Sequence, residues 1–433
     1  MEALAQEIRR LVEAGDEKTR KDVLDALQKL SVSIETPDDT VQRLTFYDMQ
    51  LAGIRIGIDL KLFELLLEGP LTVDELSQKT GANPVFLARL LRYLASYYAV
   101  EEVSKDTFTA SSISKTFAVS GHQAAVGHMW NNCGQIIQVL PSWLKENNYP
   151  DIQDNVKTPF QKALNTDVPA FIYMQQNPEA LGYFVEHMMA NRAGMPTFLD
   201  AYPVLEKATG LSPERALFVD IGGGLGHQAI SFKQRYPQLE GRVIVQDLSQ
   251  TLAHAIEFPG VEKQVYDFFT PQVVKGAKFY YLRNIFHDWP DHKVLEIIRN
   301  TIEAMAPDSF LLIDEMVLPN TGVHWQQAQL DMLMMATLGA RERTEEQWYR
   351  LAEEAGLSLN KVYTYTAIPP TVPVSLMMSN HASVGFVILI LEHPEKIDKT
   401  SIPDSLSQTC RVARPASRRA ARMHASTIIP TPP

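Results

Sequence analysis

After Pro213 the chain settles into one repeating pattern, and that pattern restricts its fold more than any other feature. Short apolar runs alternate with amphipathic stretches of helical spacing. The runs Ala216–Ile221, Arg242–Asp247, Lys263–Phe268, Lys278–Asn284 and Ser309–Glu315 read as strands, with helices fitting between them. Such alternation predicts an α/β domain with a doubly wound parallel sheet, helices covering both faces. Leu359–Tyr365 and Val384–Glu392 are expected to close the sheet as an antiparallel pair.

Upstream the signals are helical. Leu4, Ile8, Leu11, Val23, Leu27 and Leu30 recur at mostly helical spacing, interrupted near Gly15. These helices have little core of their own and are expected to pack on another subunit or domain. A second helical stretch is predicted from Leu44 to Leu67. Thr72-Val-Asp-Glu75 reads as a capping box, and Asn83-Pro84 supplies an N-cap and a first-turn proline for a helix over Val85–Tyr97. The alternating stretch Val100–Ala110 reads as a hairpin. Helix, helix, hairpin is a winged-helix order. Residues 111–210 read as mostly helical and rich in Met, His and aromatics. We therefore expect four parts: a helical winged-helix region (1–110), a helical substrate-binding linker (111–210), the α/β domain (211–392) and a tail (393–433). The total of 433 residues fits this, at about 100 to 200 residues per domain.

Charge narrows the function classes. The net charge is −11, yet from His393 onward seven Lys/Arg face three Asp/Glu, which leaves −15 on residues 1–392. A body that acidic is a poor non-specific partner for nucleic acid or anionic membrane. The second winged-helix helix carries only Arg89 and Arg92, so dimerisation is a better expectation than DNA binding. The longest apolar run, Val384–Leu391, is strand-sized, far below the roughly 18 to 20 residues that span a bilayer. The start, Met1-Glu2-Ala3-Leu4, is not that of a signal peptide. Cys133 and Cys410 are too few for a disulfide framework or a cysteine zinc site. A soluble, cytoplasmic enzyme is expected. The tail, rich in Pro, Ser and Arg without periodicity, is expected to be disordered.

Phe218-Val-Asp-Ile-Gly-Gly-Gly-Leu-Gly226 ends the first strand and opens a helix over His227–Tyr236. Glycines here let the backbone turn tightly and approach a ligand. The NAD fingerprint fails, because Gly222 and Gly224 would need a third glycine where His227 stands. No Gly-Lys-Ser/Thr follows, so a triphosphate-binding P-loop is excluded. Two acids flank the loop instead. Asp220 lies on the first strand, and Asp247 ends the second, where a carboxylate can bind the ribose hydroxyls of an adenosine.

These residues, with Gly241-Arg-Val-Ile-Val-Gln-Asp247, Asp267-Phe-Phe269 and Leu282-Arg-Asn-Ile-Phe-His-Asp-Trp-Pro-Asp291, resemble the S-adenosylmethionine-dependent O-methyltransferases. The nearest subset is the plant caffeate/flavonoid type with its fungal secondary-metabolite relatives, and agreement spans roughly residues 45–365. The resemblance implies a Rossmann-like class I methyltransferase domain, a winged-helix dimerisation domain and a homodimer. By it Gly222, Gly224 and Asp247, with Asp220, bind S-adenosylmethionine; Asp267 and Phe268 flank its adenine; Arg283 lies near its methionine end. The implied substrate is a small aromatic or polyketide-type molecule.

His287 follows the fourth strand at the edge where ligands sit in such sheets. A phenol of pKa near 10 attacks a sulfonium methyl poorly while protonated, and a histidine can take that proton at neutral pH. It must be held neutral and oriented by a carboxylate on its other ring nitrogen. Glu315 and Glu342 are the two candidates, and both match glutamates that flank the histidine in the resembled family. Asp288 is expected to cap a helix or contact cofactor. Metal is not required, since the leaving group is already a sulfonium.

His128-Met-Trp-Asn131, His187-Met-Met189, Arg192 and Asp331-Met-Leu-Met-Met335 suggest a plastic apolar pocket, with His128, Trp130, Met189 and Arg192 as substrate contacts. The leading expectation is O-methylation of a phenolic or hydroxypyridone-like secondary metabolite. The alternative is pericyclic chemistry: some fungal proteins resembling this family keep S-adenosylmethionine bound but catalyse dehydration and ring closure, and His128, Arg192 and Arg283 could donate hydrogen bonds to a carbonyl there. The end of the chain departs from the family, since 68 residues remain after Tyr365.

Overall fold

A computed structural model describes residues 1–190, 196–208, 211–365 and 385–392. The sequence-predicted tail lies outside these residues.

The α/β domain forms where the alternation placed it. Its strands are β4 (Ala216–Ile221), β5 (Arg242–Asp247), β6 (Val261–Val265), β7 (Phe279–Arg283), β8 (Phe310–Leu318), β9 (Arg343–Thr344), β10 (Ser358–Thr364) and β11 (Gly385–Glu392). The order is β10-β11-β8-β7-β4-β5-β6, with β9 paired to the end of β8. Strands β4 to β9 pair in parallel, and β11 runs antiparallel to both β8 and β10, the closing pair the sequence predicted.

Side chains of successive residues go to opposite faces, and both faces are covered. Tyr280, Leu282, Leu311, Ile313, Val387 and Leu389 pack with Val294, Ile298 and Trp348 on one side. Phe279, Tyr281, Leu312, Ile388 and Ile390 pack with Phe198 and Phe232 on the other. Burial on both faces explains why these strands read as continuous apolar runs.

The winged-helix order also forms. Three strands, β1 (Leu71–Thr72), β2 (Val100–Ser104) and β3 (Thr107–Ala110), pair in the order β1-β3-β2 beside the helices Val73–Thr80 and Pro84–Ser96. The local signals act as read. Thr72 Oγ1 accepts from Glu75 N while Glu75 Oε2 accepts from Thr72 N, and Asn83 Oδ1 accepts from Val85 N.

Two expectations need correction. The stretch from Leu44 to Leu67 is not one helix but the end of Pro37–Thr45, then Tyr47–Asp59 and Leu62–Leu67. Lys61 at φ 54° turns the chain so that Leu62, Phe63 and Leu66 bury in the winged-helix core. Strand β6 ends at Val265 rather than Phe268, because the Asp267 carboxylate captures the Phe269 N–H and starts a turn. The helices Glu2–Ala14, Glu17–Ile34 and Pro37–Thr45 contain no buried residue, and Leu4, Leu11, Leu27 and Leu30 are exposed.

Residues 112–190 are mostly helical, with non-helical chain over 147–158 and 165–169. The run contains one π-helical segment, His128–Cys133, between Ser120–Gly127 and Gly134–Glu146.

Candidate active site

The C-terminal ends of β4, β5, β6 and β7 lie along one sheet edge, the usual ligand edge of such a fold. The loop after β4 makes a cradle there. Gly222 and Gly224 have φ of 68° and 58°, which only glycine adopts without strain. A Cβ on Gly222 would stand 2.5 Å from Ile285 Cδ1, whereas one on Gly224 would project into open space. Gly224 N donates to Asp247 Oδ2 (2.9 Å) and Leu248 N to Asp247 Oδ1 (2.7 Å). Each carboxylate oxygen thus keeps accepting capacity for a hydroxyl.

Asp220 sits beneath this loop, fully buried, and its Oδ2 accepts from Ala229 N at 3.2 Å in the first turn of the helix His227–Arg235. Burial pushes its carboxyl up to about 7. It caps that helix and supports the cradle from below. Phe268 is half-buried near Gly222, edge-on to Phe269 and Trp289. Asp267 is exposed, its carboxylate occupied by the turn. Arg283 ends β7, with Nε 3.6 Å from Asp314 Oδ2. Arg283 Nε and, in the next residue, Asn284 Oδ1 are buried without a hydrogen bond. An open cradle, a carboxylate with free lone pairs and unused buried polar atoms fit a polar adenosine-containing ligand.

His287 lies in the short turn Phe286–Asp288 after β7. Its Nδ1 is 2.8 Å from Oε1 of Glu342, whose side chain is 1% exposed against 19% for the histidine. Glu342 precedes β9, and its own N–H donates to Asp331 Oδ1 at 2.9 Å. Glu315 takes a different place from the one predicted. Strand β8 outruns β7, so Glu315 reaches under the turn, where its Oε1 accepts from Ile285 N (3.0 Å) and Phe286 N (2.8 Å). It holds the backbone before His287, not the ring. Asp288 is not a helix cap either: its Oδ1 lies 3.5 Å from His287 Nε2.

The surroundings of the ring work against the expectation of a neutral imidazole. Burial works to lower its pKa, but the carboxylates of Asp288, Glu342 and Glu315 outweigh burial and hold it at about 10. Burial conversely raises Glu315 to about 7 and Asp288 to about 6. The surrounding carboxylates thus favour the protonated ring.

The suggested substrate residues gather only in part. His128 Nδ1 accepts from Asn132 Nδ2 at 2.9 Å, and its ring lies 5.9 Å from His187 and 5.5 Å from Phe184. Burial, with His187 nearby, lowers His128 to about 4, so it is neutral. Trp130 and Met189 are exposed. Arg192 lies outside the described residues. No described hydrogen bond or ring contact joins the His128 group to His287. Among the described residues no group of three or more His, Cys, Asp or Glu side chains could hold a metal ion, and no helix is long and apolar enough to cross a membrane.

Sequence reasoning missed Arg343, and it put Asp331 in the methionine run of the pocket and not on the Glu342 N–H. Arg343 is fully buried and donates to Phe286 O (Nη1, 2.8 Å), Trp289 O (Nη2, 2.8 Å) and Asp291 Oδ1 (Nε, 2.9 Å). The one available signal was the pair of arginines flanking Glu342.

Comparison with known proteins agrees with this architecture. The O-methyltransferase domain family matches residues 149–358, and the O-methyltransferase dimerisation domain family matches 49–120. The O-methyltransferase lepI of Aspergillus flavus is 41% identical over 367 residues, covering 83% of this chain and 94% of its own. The demethylsterigmatocystin 6-O-methyltransferase of Aspergillus parasiticus is 41% identical over 84% of this chain and 95% of its own. A solved structure of LepI in complex with SAM superposes with a TM-score of 0.82 at 38% identity, covering 90% of this chain and 98% of that one; a second with the same identity and coverage (TM-score 0.81) is described as a pericyclic reaction enzyme. With the glycine cradle, the histidine turn and the winged helix on one chain, and with relatives of 41% identity covering more than four fifths of it, the chain belongs to the S-adenosylmethionine-dependent O-methyltransferase family.

Proposed function

We propose that this chain transfers the methyl of S-adenosylmethionine to a hydroxyl of a phenolic or hydroxypyridone-like secondary metabolite, with His287 as general base. The observation that carries this reading is the 2.8 Å pair between His287 Nδ1 and buried Glu342, standing at the sheet edge that bears the glycine cradle. When bound, the cofactor supplies an electrophilic methyl on a sulfonium. Asp247 takes the ribose hydroxyls, Gly222 and Gly224 admit the ligand to the backbone, Asp267 and Phe268 flank the adenine, and Arg283 faces the methionine end. Asp220 acts from beneath the loop.

Glu342 holds the Nδ1–H, so Nε2, with Asp288 Oδ1 3.5 Å away, is the nitrogen left to meet the acceptor. An imidazolium held at about 10 matches a phenol of pKa near 10, so the proton passes between them with little net cost. The consequence is that few sites are deprotonated at neutral pH, and the rate climbs as pH rises. Glu315 fixes the turn's backbone. His128, Trp130 and Met189 are the proposed substrate contacts of a linker (111–210) between the winged-helix region (1–110) and the catalytic domain (211–392), and Arg192, proposed with them from the sequence, lies outside the described residues. The exposed apolar residues of the N-terminal helices and the dimerisation family match support a homodimer, and the cytoplasm is the proposed location.

One observation favours a second reading, an S-adenosylmethionine-bound pericyclase. An imidazolium at neutral pH donates to a carbonyl better than it abstracts a proton, and a similar solved structure is described as a pericyclic reaction enzyme. Mass spectrometry with methyl-labelled S-adenosylmethionine and candidate phenolic polyketides or pyridones separates the two. Label in the product supports methyl transfer; an isomerised or dehydrated product without label refutes it.

A further inference from the structure

Guanidinium burial is costly unless its donors are met, and Arg343, 1% exposed at its side chain, meets them in one place. Nη1 donates to Phe286 O and Nη2 to Trp289 O, the carbonyls just before and two residues after His287. Nε donates to Asp291 Oδ1 at the start of the helix Asp291–Ile302. The guanidinium carbon lies 5.4 Å from the centre of the Trp348 ring, a cation–π contact. Asp291 is 47% exposed at its side chain, so an ion pair alone could have formed at the surface. The burial serves the two backbone carbonyls.

Arg343 itself is held by register. Strand β9 pairs in parallel with β8, Arg343 opposite Val317 and Thr344 opposite Leu318. The preceding residue, Glu342, binds His287 Nδ1. Consecutive residues therefore grip the same turn, one by its side chain and one by its backbone. From the other side Glu315 Oε1 takes the N–H groups of Ile285 and Phe286. The Phe286 residue is pinned at its N–H by Glu315 and at its C=O by Arg343, and Phe286 O also accepts from Trp289 N.

We propose that Arg343 is a positioning residue for His287: it fixes the turn so that Nε2 meets the acceptor hydroxyl while Nδ1 stays on Glu342. This rests on the base reading of His287 given above. A lysine has one compact ammonium and cannot serve two carbonyls and a carboxylate in a plane as a guanidinium does. A displacement of about 1 Å in a catalytic group costs on the order of 10²-fold in rate.

The test compares Arg343→Lys, Arg343→Met, Asp291→Asn and His287→Ala in the full chain. It reads kcat, acceptor KM, S-adenosylmethionine affinity by calorimetry, and the pH dependence of kcat/KM. Arg343→Met is expected to lose about 10²-fold in kcat with cofactor affinity within a factor of about two, and its basic-side rise in rate should move to lower pH as the His287–Glu342 pair loosens. Arg343→Lys should recover part of kcat. Asp291→Asn, at a half-exposed position, keeps the result readable where the Arg343 variants fold poorly: it should lower kcat less and move the pH profile the same way. Unchanged kcat and pH profile in Asp291→Asn and in whichever Arg343 variant folds, with His287→Ala impaired, overturns the positioning role alone. Equal losses of kcat and cofactor affinity in Arg343→Met also overturn it, since that marks a collapsed domain. Full methylation by His287→Ala refutes the base reading on which the proposal stands.

Discussion

Glu342→Gln isolates the contact on which the chemistry depends. The substitution keeps shape and an accepting oxygen but removes the negative charge 2.8 Å from His287 Nδ1. A buried hydrogen bond to a charged group is worth about 1.5 to 3 kcal/mol. At about 1.4 kcal/mol per pKa unit, its loss lowers the His287 imidazolium by about one to two units from its value near 10. Asp288 and Glu315 remain and keep it above its ordinary value. The sign follows from the raised pKa: His287 acts as a base only when neutral, so in the parent enzyme kcat/KM rises with pH toward about 10, and in the variant that rise should come about one to two units earlier. The plateau at high pH should be lower, because an amide orients the ring and stabilises the nascent imidazolium less well. The same linkage makes a stability statement. A raised histidine stabilises the fold fully below about 6.5 and loses that contribution as pH climbs through about 10, so the melting difference between parent and variant should shrink across that window. Initial rates of labelled methyl transfer from pH 6 to 10, with melts at each pH, measure both. A pH–rate profile that does not move on Glu342→Gln refutes the assignment of Glu342 as one of the carboxylates that raise His287.

Two further outcomes test the cradle. Asp247→Ala removes the acceptor for two charge-assisted hydroxyl bonds of about 1.5 to 3 kcal/mol each, and calorimetry should show S-adenosylmethionine binding weakened at least about tenfold with the fold intact; unchanged affinity removes Asp247 from the site. Gly222→Ala places a side chain at φ 68° and its Cβ 2.5 Å from Ile285 Cδ1, on the turn that carries His287. It should cost about 1 to 2 kcal/mol of stability, read from the denaturant midpoint, and weaken cofactor binding as well; a variant unchanged in both shows that the loop tolerates the shift.

Much of this is legible in the sequence because the signals are local. The bounds of β4 and β5 coincide with the apolar runs that predicted them, since a strand covered on both faces must be apolar throughout. The capping box at Thr72 and the N-cap at Asn83 act within three residues, so their chemistry survives any tertiary arrangement. The break at Lys61 was not legible: Leu51 to Leu66 keeps a helical period, and only the demand of the winged-helix core for Leu62 and Phe63 turns the chain there.

The site divides the same way. By itself the sequence determined the glycine loop, the acid that ends β5, the histidine after β7 and Glu315, because each stands at the end of a predicted apolar strand, while Glu342 was a candidate through its match to the resembled family. Which glutamate touches the ring was decided by register. Strand β8 runs past β7 and brings Glu315 under the backbone, while β9 docks beside the end of β8 and delivers Glu342 to the imidazole across 55 residues of chain. The charge on His287 and the grip of Arg343 likewise exist only in the folded state. Both are sums of contacts between segments distant in sequence, in a buried place where a carboxylate or a guanidinium acts strongly and water does not screen it.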